Sequence, residues 1–243
     1  MKRILFFYFL FIFTSYLFSQ SGEIIYESQI LNEDLKNQPL DNTFSKEDEN
    51  FLKKINNNIN KLDFILTFSK FNSIFKKEDK MKINDKSLDI AVIIAGKGVY
   101  YTSHKEGITL IEKEFSGKTF LIEIPNTIWK LIQEEKKVGK YVCYKATTIK
   151  TAEGRNGKIQ KKITAWYSPQ IPYNFGPKDY NGLPGLILQL QEDNLLITAK
   201  KITIQPTNQI SIEKPRKGEK VTQQEFDSIV KKLYYEKRKI PKH

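Results

Sequence analysis

The sequence predicts a mainly β protein with flanking helices. This is an α+β fold built on a curved antiparallel sheet or partly open barrel, with a C-terminal helix. Three observations carry the expectation. From residue 97 onward the chain breaks into eight short strand-like runs, most of them separated by glycine or by Asn, Asp and Pro clusters. That spacing suits a meander that closes into a barrel or curls around a cavity. The connections between the runs are too short for helical crossovers, so neighbouring strands should be antiparallel. The last periodic segment, VTQQEFDSIVKKLYYEK, repeats its apolar residues at helical spacing instead.

Taken in order, GEIIYESQI (Gly22 to Ile30) reads as the first strand. Ser45 to Asn60 reads as a helix. Ser45 and Asp48 fit a capping box, in which each side chain satisfies a backbone N–H of the other residue. Phe51, Leu52, Ile55 and Ile59 form its apolar stripe. KLDFILTFSKFNSIF then alternates, with Leu62, Phe64, Leu66 and Phe68 on one side and Asp63, Thr67 and Ser69 on the other. This is the period of a single strand with one face buried. KEDKMKINDKS is a polar loop. DIAVIIAG, within residues 88–96, is compatible with either a strand or a short helix. The eight runs are KGVYYTSH, ITLIEKEF, KTFLIEIP, TIWKLIQEEK, KYVCYKATTIK, KKITAWYSP, LILQLQE and NLLITAKKITIQ. In the closing helix Thr222 and Glu225 repeat the capping box. Phe226, Ile229, Val230 and Leu233 form the stripe that packs on the sheet or plugs an open end. No internal repeat or linker divides the chain, so residues 21–243 read as a single domain.

Met1, Lys2 and Arg3 precede an unbroken apolar run, Ile4 to Phe13, which gives way to small and polar residues. These are the parts of a secretory signal peptide. A membrane span needs about 20 apolar residues, more than this run supplies. The expectation is a signal peptide over residues 1–20 and a mature chain without a transmembrane helix. The protein would then belong to the periplasm or cell envelope, or be secreted. No cysteine lies near the cleavage point, so a lipoprotein is not expected. Cys143 is the one cysteine, which excludes an internal disulfide in any compartment. The formal net charge is +12. Along most of the chain, however, lysines alternate with acids, as in KKEDKMKINDK and IEKEFSGK. That mixing suits a solvated surface, and no nucleic-acid partner is expected.

Several chemistries lack their residues. His104 and the terminal His243 are the two histidines, so a Cys/His zinc site cannot form within one chain. There is no nucleophile elbow, P-loop or dinucleotide fingerprint. No catalytic residue, metal ligand or cofactor-binding residue is assigned, and no cofactor is expected. A pair of carboxylates could still support hydrolysis, but nothing in the sequence selects a pair.

Residues 140–190 carry an ordered set of landmarks: YVCYKAT at 141 to 147, GR at 154 and 155, AWYSPQIP at 165 to 172, GP at 176 and 177, and GLPGLI at 182 to 187. This segment strongly resembles the GLPGLI family of exported Bacteroidetes proteins. The resemblance implies an exported envelope protein. It implies no reaction, cofactor or catalytic residue, because the family has none assigned. NGKIQKKIT intervenes between GR and AW, where the family passes in a few residues. The hairpin carrying Arg155 is therefore longer.

The apolar turn NGLPGLILQL sets the remaining expectations. Gly182 permits an unusual backbone angle, and Leu183 is pushed to an extended conformation by the proline after it. Pro184 followed by Gly185 is the pair a type II turn prefers at its centre. Leu186 and Ile187 begin the next strand. Either the corner folds inward and seals the core, or its leucines line the mouth of a ligand cavity. Arg155, Trp166, Tyr167 and Tyr173 are candidates for the same binding face, with Trp166 and Tyr167 on opposite sides of a strand. The expected role is a non-enzymatic binding module for an apolar or amphiphilic ligand or an outer-membrane partner. A structural or assembly factor binding only protein, and a carboxylate-dependent hydrolase, are the alternatives.

Overall fold

A computed structural model describes residues 21–31, 45–78, 85–154, 157–205 and 210–239. The order of elements is β1 (Ser21–Ile30), α1 (Lys46–Ile59), β2 (Asp63–Phe68), β3 (Asn72–Lys77), α2 (Lys86–Gly96), β4 (Val99–Ser103), β5 (Ile108–Phe115), β6 (Lys118–Ile124), β7 (Lys130–Val138), β8 (Tyr141–Gly154), β9 (Gly157–Ser168), β10 (Leu186–Glu192), β11 (Leu195–Gln205), β12 (Glu219–Thr222) and α3 (Gln223–Lys239). The strands form one sheet in the order β12-β6-β5-β4-β3-β2-β1-β11-β10-β9-β8-β7. It is curved and does not close. Two meanders are joined side by side. One runs outward from β1 to β6, and the other runs inward from β7 to β11, where β11 pairs with β1.

The mainly β fold with a C-terminal helix is thus as the sequence predicts, with two local differences and one point that the sequence left open. First, the sheet is mixed. β12 pairs parallel with β6, from Glu219 opposite Phe120 to Thr222 opposite Glu123. EKVT has too little alternation to signal a strand, and its last residues read as the start of the helix. Second, KLDFILTFSKFNSIF is a hairpin. Ser69, Lys70 and Phe71 form a turn without glycine or proline, closed by the Ser69 N–H donating to the Asn72 carbonyl at 2.8 Å. Residues 88–96, compatible in sequence with either a strand or a short helix, are helical. Asp85 caps α2 by accepting from the Ser87 N–H, and Ala91, Ala95 and Gly96 make a small buried face that permits close packing.

The capping boxes at Ser45/Asp48 and Thr222/Glu225 are both formed. Ile55 and Ile59 of the α1 stripe are buried, whereas Phe51 and Leu52 are exposed. Leu62, Phe64, Leu66 and Phe68 all enter the main core. That core is aromatic. Phe64 stacks on Phe75 with centroids 5.2 Å apart, and Tyr26 and Tyr100 meet Phe75 edge-on. Phe226 brings α3 onto Phe115 and Phe120. On the opposite face of the sheet, Ala146, Ile163, Ala165, Tyr167 and Ile187 pack with Tyr180 and Leu183. Among the described residues no helix is long and apolar enough to cross a membrane.

Candidate functional site

The motif closes a loop that runs from the end of β9 to the start of β10. The loop bonds to itself. Asn174 Oδ-bearing amide donates through Nδ2 to the Leu183 carbonyl at 2.8 Å, and the Gly182 N–H donates to the Asn174 carbonyl at 2.9 Å. The N–H groups of Leu186 and Ile187 return to the carbonyls of Ile171 and Phe175, both at 3.0 Å. Such internal bonding is typical of a packed Ω-loop. The type II turn expected at Pro184-Gly185 is absent. The Leu183 carbonyl accepts from the Gly185 N–H at 2.8 Å, giving a three-residue turn around Pro184, and the Leu186 N–H is spent on Ile171. Gly185 has φ 151°, and a Cβ there would collide with the Ser168 carbonyl and the Pro169 nitrogen.

The side chains of Leu183, Leu186 and Ile187 are at most 1 % exposed. Gly182 and Pro184 face outward, while Gly185 is buried. Ile187 also joins the two meanders, since its carbonyl accepts from the buried Tyr26 hydroxyl at 2.6 Å. Trp166 packs against the main core, with Lys136 Nζ 4.2 Å and Lys145 Nζ 5.8 Å from its ring centre. Tyr167 is buried on the opposite face. Tyr173 packs on Phe68, centroids 4.5 Å apart. Arg155 and residues 1–20, which the sequence reads as a signal peptide, lie outside the described residues. The described candidate residues therefore do not share one surface.

Beside the motif lies a charged cluster that the sequence reading missed. Lys178 Nζ sits 2.8 Å from Glu192 Oε2, and Lys150 Nζ sits 2.6 Å from Asp179 Oδ2. Lys161 Nζ is 3.6 Å from both Glu192 Oε1 and Asp193 Oδ2. Burial alone would raise the Glu192 carboxyl. Lys178, Lys150 and Lys161 overcome that and hold its pKa down at about 2. Burial opposes the charge on Lys150 too, but Asp179 and Glu192 outweigh it and raise the ammonium. Among the described residues the buried Tyr180 hydroxyl has no hydrogen-bond partner. Burial first, then Glu192 and Asp179, push its pKa upward. Asn181 ties the cluster to both meanders, donating through Nδ2 to Thr109 Oγ1 at 3.1 Å and accepting at its carbonyl from Trp129 Nε1 at 2.8 Å. KDYN, immediately before the hexapeptide, was the available signal.

Open surface lies elsewhere. A groove of about 530 Å³ along β7, β8 and β9 is lined by Ile128, Trp129, Lys130, Thr147, Thr148, Ile149, Gln160 and Lys162. Ile128 is 87 % and Ile149 64 % exposed. A smaller cleft of about 240 Å³ adjoins Asn181 and Gly182 and is lined by Thr102, Ser103, His104 and Thr109. The His104 ring stacks on Phe175, and its partial desolvation lowers its pKa. Among the described residues, no three His, Cys, Asp or Glu side chains gather to hold a metal. Cys143 is buried and unpaired, and burial pushes its thiol up to about 11.

Comparison with solved structures finds a similarity to PNGF-II. Its structure in the C2 space group gives a TM-score of 0.52 at 13 % identity, covering 88 % of this chain and 33 % of that chain. The same protein in the P21 space group gives 0.49 at 13 % identity, covering 88 % and 34 %. The chain thus spans about a third of the length of that protein, and at this identity the likeness concerns the fold alone. Comparison with curated proteins found no match. Residues 150–189 match the profile of a protein family of unknown function, Porph_ging. That span holds most of the charged cluster and the whole hexapeptide; the matched family, the GLPGLI family, is Bacteroidetes-associated and of unknown function.

Proposed function

We propose that the protein is exported through a signal peptide at residues 1–20 and acts in the cell envelope as a non-enzymatic binding module. Its ligand surface is the groove along β7, β8 and β9. Its ligand is an amphiphile with an apolar chain and an anionic head. One observation carries this reading: Ile128 and Ile149 expose hydrocarbon beside Lys130 and Lys162 in a groove of about 530 Å³. Exposed apolar surface is a liability unless used, and cavities of roughly 300–1,000 Å³ suit small ligands. The lysines supply the complementary charge. The leucines of the hexapeptide are interior and serve to hold the loop. Pairing of Glu192 and Asp179 with lysines also supports binding over carboxylate-dependent hydrolysis.

Dodecanoate is a suitable probe. Trp129 lines the groove, and Trp166 is the other of the two tryptophans, so a Trp166→Phe background isolates the Trp129 signal. The expected result is a saturable change in its fluorescence. Ile149→Asp should weaken binding about tenfold or more at an unchanged melting temperature, because it places a charge where the chain must lie. A flat titration would refute the reading. A flat titration together with a stable complex with an outer-membrane protein would favour the assembly-factor alternative.

A further inference from the structure

The loop that carries the hexapeptide meets the turn between β4 and β5, and a cleft of about 240 Å³ opens at the junction. Buried side chains are mostly apolar, yet Thr102, Ser103, Thr109 and Asn181 line this cleft at 9 % exposure or less. Three of the four form a chain. Asn181 donates through Nδ2 to Thr109 Oγ1 at 3.1 Å, and Thr109 Oγ1 lies 3.5 Å from Thr102 Oγ1.

This chain leaves hydrogen-bonding capacity unused. Asn181 Nδ2 also donates to the Asp179 carbonyl at 3.1 Å, so both of its donor positions are taken. Its side-chain oxygen accepts from no described residue and is not sealed from solvent. Asn181 is otherwise buried and lines the cleft, so that oxygen faces the cleft. The two threonine hydroxyls share at most one bond with each other, which leaves one hydroxyl proton over. Buried polar groups of this kind are costly unless something bonds to them.

His104 lines the cleft from its exposed side. Its ring stacks on Phe175, with centroids 4.5 Å and planes 19° apart, and bonds to the Asn174 backbone. Desolvation holds the imidazole below its ordinary value, so it is neutral at pH 7. Among the described residues no Lys, Arg, Asp or Glu lines the cleft. A charged ligand would find no counter-charge there. The volume equals that of about eight liquid waters, the size of one sugar ring rather than a chain.

We propose that this cleft binds one neutral polyhydroxylated ring, a monosaccharide unit. Sugar hydroxyls both donate and accept, so they can donate to the Asn181 oxygen and accept the spare threonine proton. The C–H face of the ring would lie on the His104 imidazole, which Phe175 backs. Asn126 and Thr127 of the β6–β7 connection line the cleft, whereas Ile128 and Trp129 line the β7–β9 groove. The two sites are therefore separate, and this one does not depend on the reading of the groove.

The test is proton NMR titration of the purified protein with glucose, mannose, galactose and N-acetylglucosamine in turn. His104 and the terminal His243 are the two histidines, so the imidazole lines report the site directly, and His104→Ala assigns them. At least one sugar should shift the His104 lines saturably and leave those of His243 in place. In calorimetry with that sugar, His104→Ala should weaken binding about tenfold. Thr102→Val, which keeps the shape and removes the hydroxyl, should weaken it severalfold, and it keeps the test open should His104→Ala fail to fold. Absence of a saturable shift with all four sugars would overturn the proposal. Saturable binding that leaves the His104 lines fixed would do the same, as would parental affinity in either folded variant.

Discussion

The two meanders solve the same packing problem with different materials. Between β1 and β6 the interior is aromatic: Phe64, Phe68, Phe75, Tyr100 and Phe120 interlock, and α1, α2 and α3 contribute Ile55, Ala91 and Phe226. Between β7 and β11 the sheet's second face is thinner. Alanines at 146 and 165 leave room for the motif loop, which lays Tyr180 and Leu183 over them and carries Lys178 and Asp179 into a charged cluster with Lys150 and Glu192. The first meander is sealed by helices, the second by a loop. A loop must satisfy its own backbone groups, and this one does so through Asn174 and the returning N–H groups of Leu186 and Ile187. The family signature falls on the meander with the more demanding geometry. Position-specific residues are needed where polar groups are buried, whereas an aromatic core tolerates substitution.

This contrast can be broken at its strongest point first. Phe64→Ala should cost about 4 kcal/mol, as expected for a large buried aromatic, measured by chemical denaturation. Phe64→Leu should recover most of that stability, because the first meander needs volume more than identity.

The second meander should behave in the opposite way. Glu192→Gln keeps the volume and removes the charge opposite Lys178, and should cost about 3 kcal/mol. Its pH signature is specific. Glu192 has a folded pKa of about 2, depressed below its ordinary value of 4.5. A depressed carboxyl contributes stability in full above the unfolded value and loses it as pH falls through the folded one. Stability should therefore decline between pH 4.5 and about 2, by about 3 kcal/mol from this group. Glu192→Gln should flatten that part of the profile. An unaltered acid limb in the variant would show that the pair contributes nothing there.

The junction between the meanders gives a smaller effect. Tyr26→Phe removes the hydroxyl that reaches the Ile187 carbonyl and should cost about 1–2 kcal/mol by denaturation. Smaller still is Cys143→Ala, at about 1 kcal/mol, since it deletes a small buried group. A thiol held at about 11 and buried should react with a thiol reagent at the rate of unfolding. Labelling within the mixing time would contradict this.

The first meander was largely legible in the sequence because its signals are local. Alternation through Leu62, Phe64, Leu66 and Phe68 and the capping box at Ser45 each needed only a few neighbours. The turn at Ser69 to Phe71 escaped because no glycine or proline marks it, and the parallel β12 escaped because four residues carry no period. The motif loop was legible only in part. Its glycines and proline announced a tight corner, and Gly185 does adopt a positive φ. The type II geometry failed because Asn174, Ile171 and Phe175, distant in the turn's own terms, claim its hydrogen-bonding groups. The charged cluster was unreadable for the same reason. Lys150, Lys178 and Glu192 look like three of many surface charges until the fold brings them together.

The central claim is that the hexapeptide leucines hold the loop in place while ligand contact is made elsewhere. The most direct measurement sets Leu183→Ser with Leu186→Ser beside Ile149→Asp and follows melting temperature and dodecanoate affinity in both. The account predicts that the double leucine variant melts well below the parent, yet binds with parental affinity at temperatures where it remains folded. Ile149→Asp should show the reverse. A leucine variant that keeps its melting temperature but loses dodecanoate would place the ligand at the turn and contradict the account.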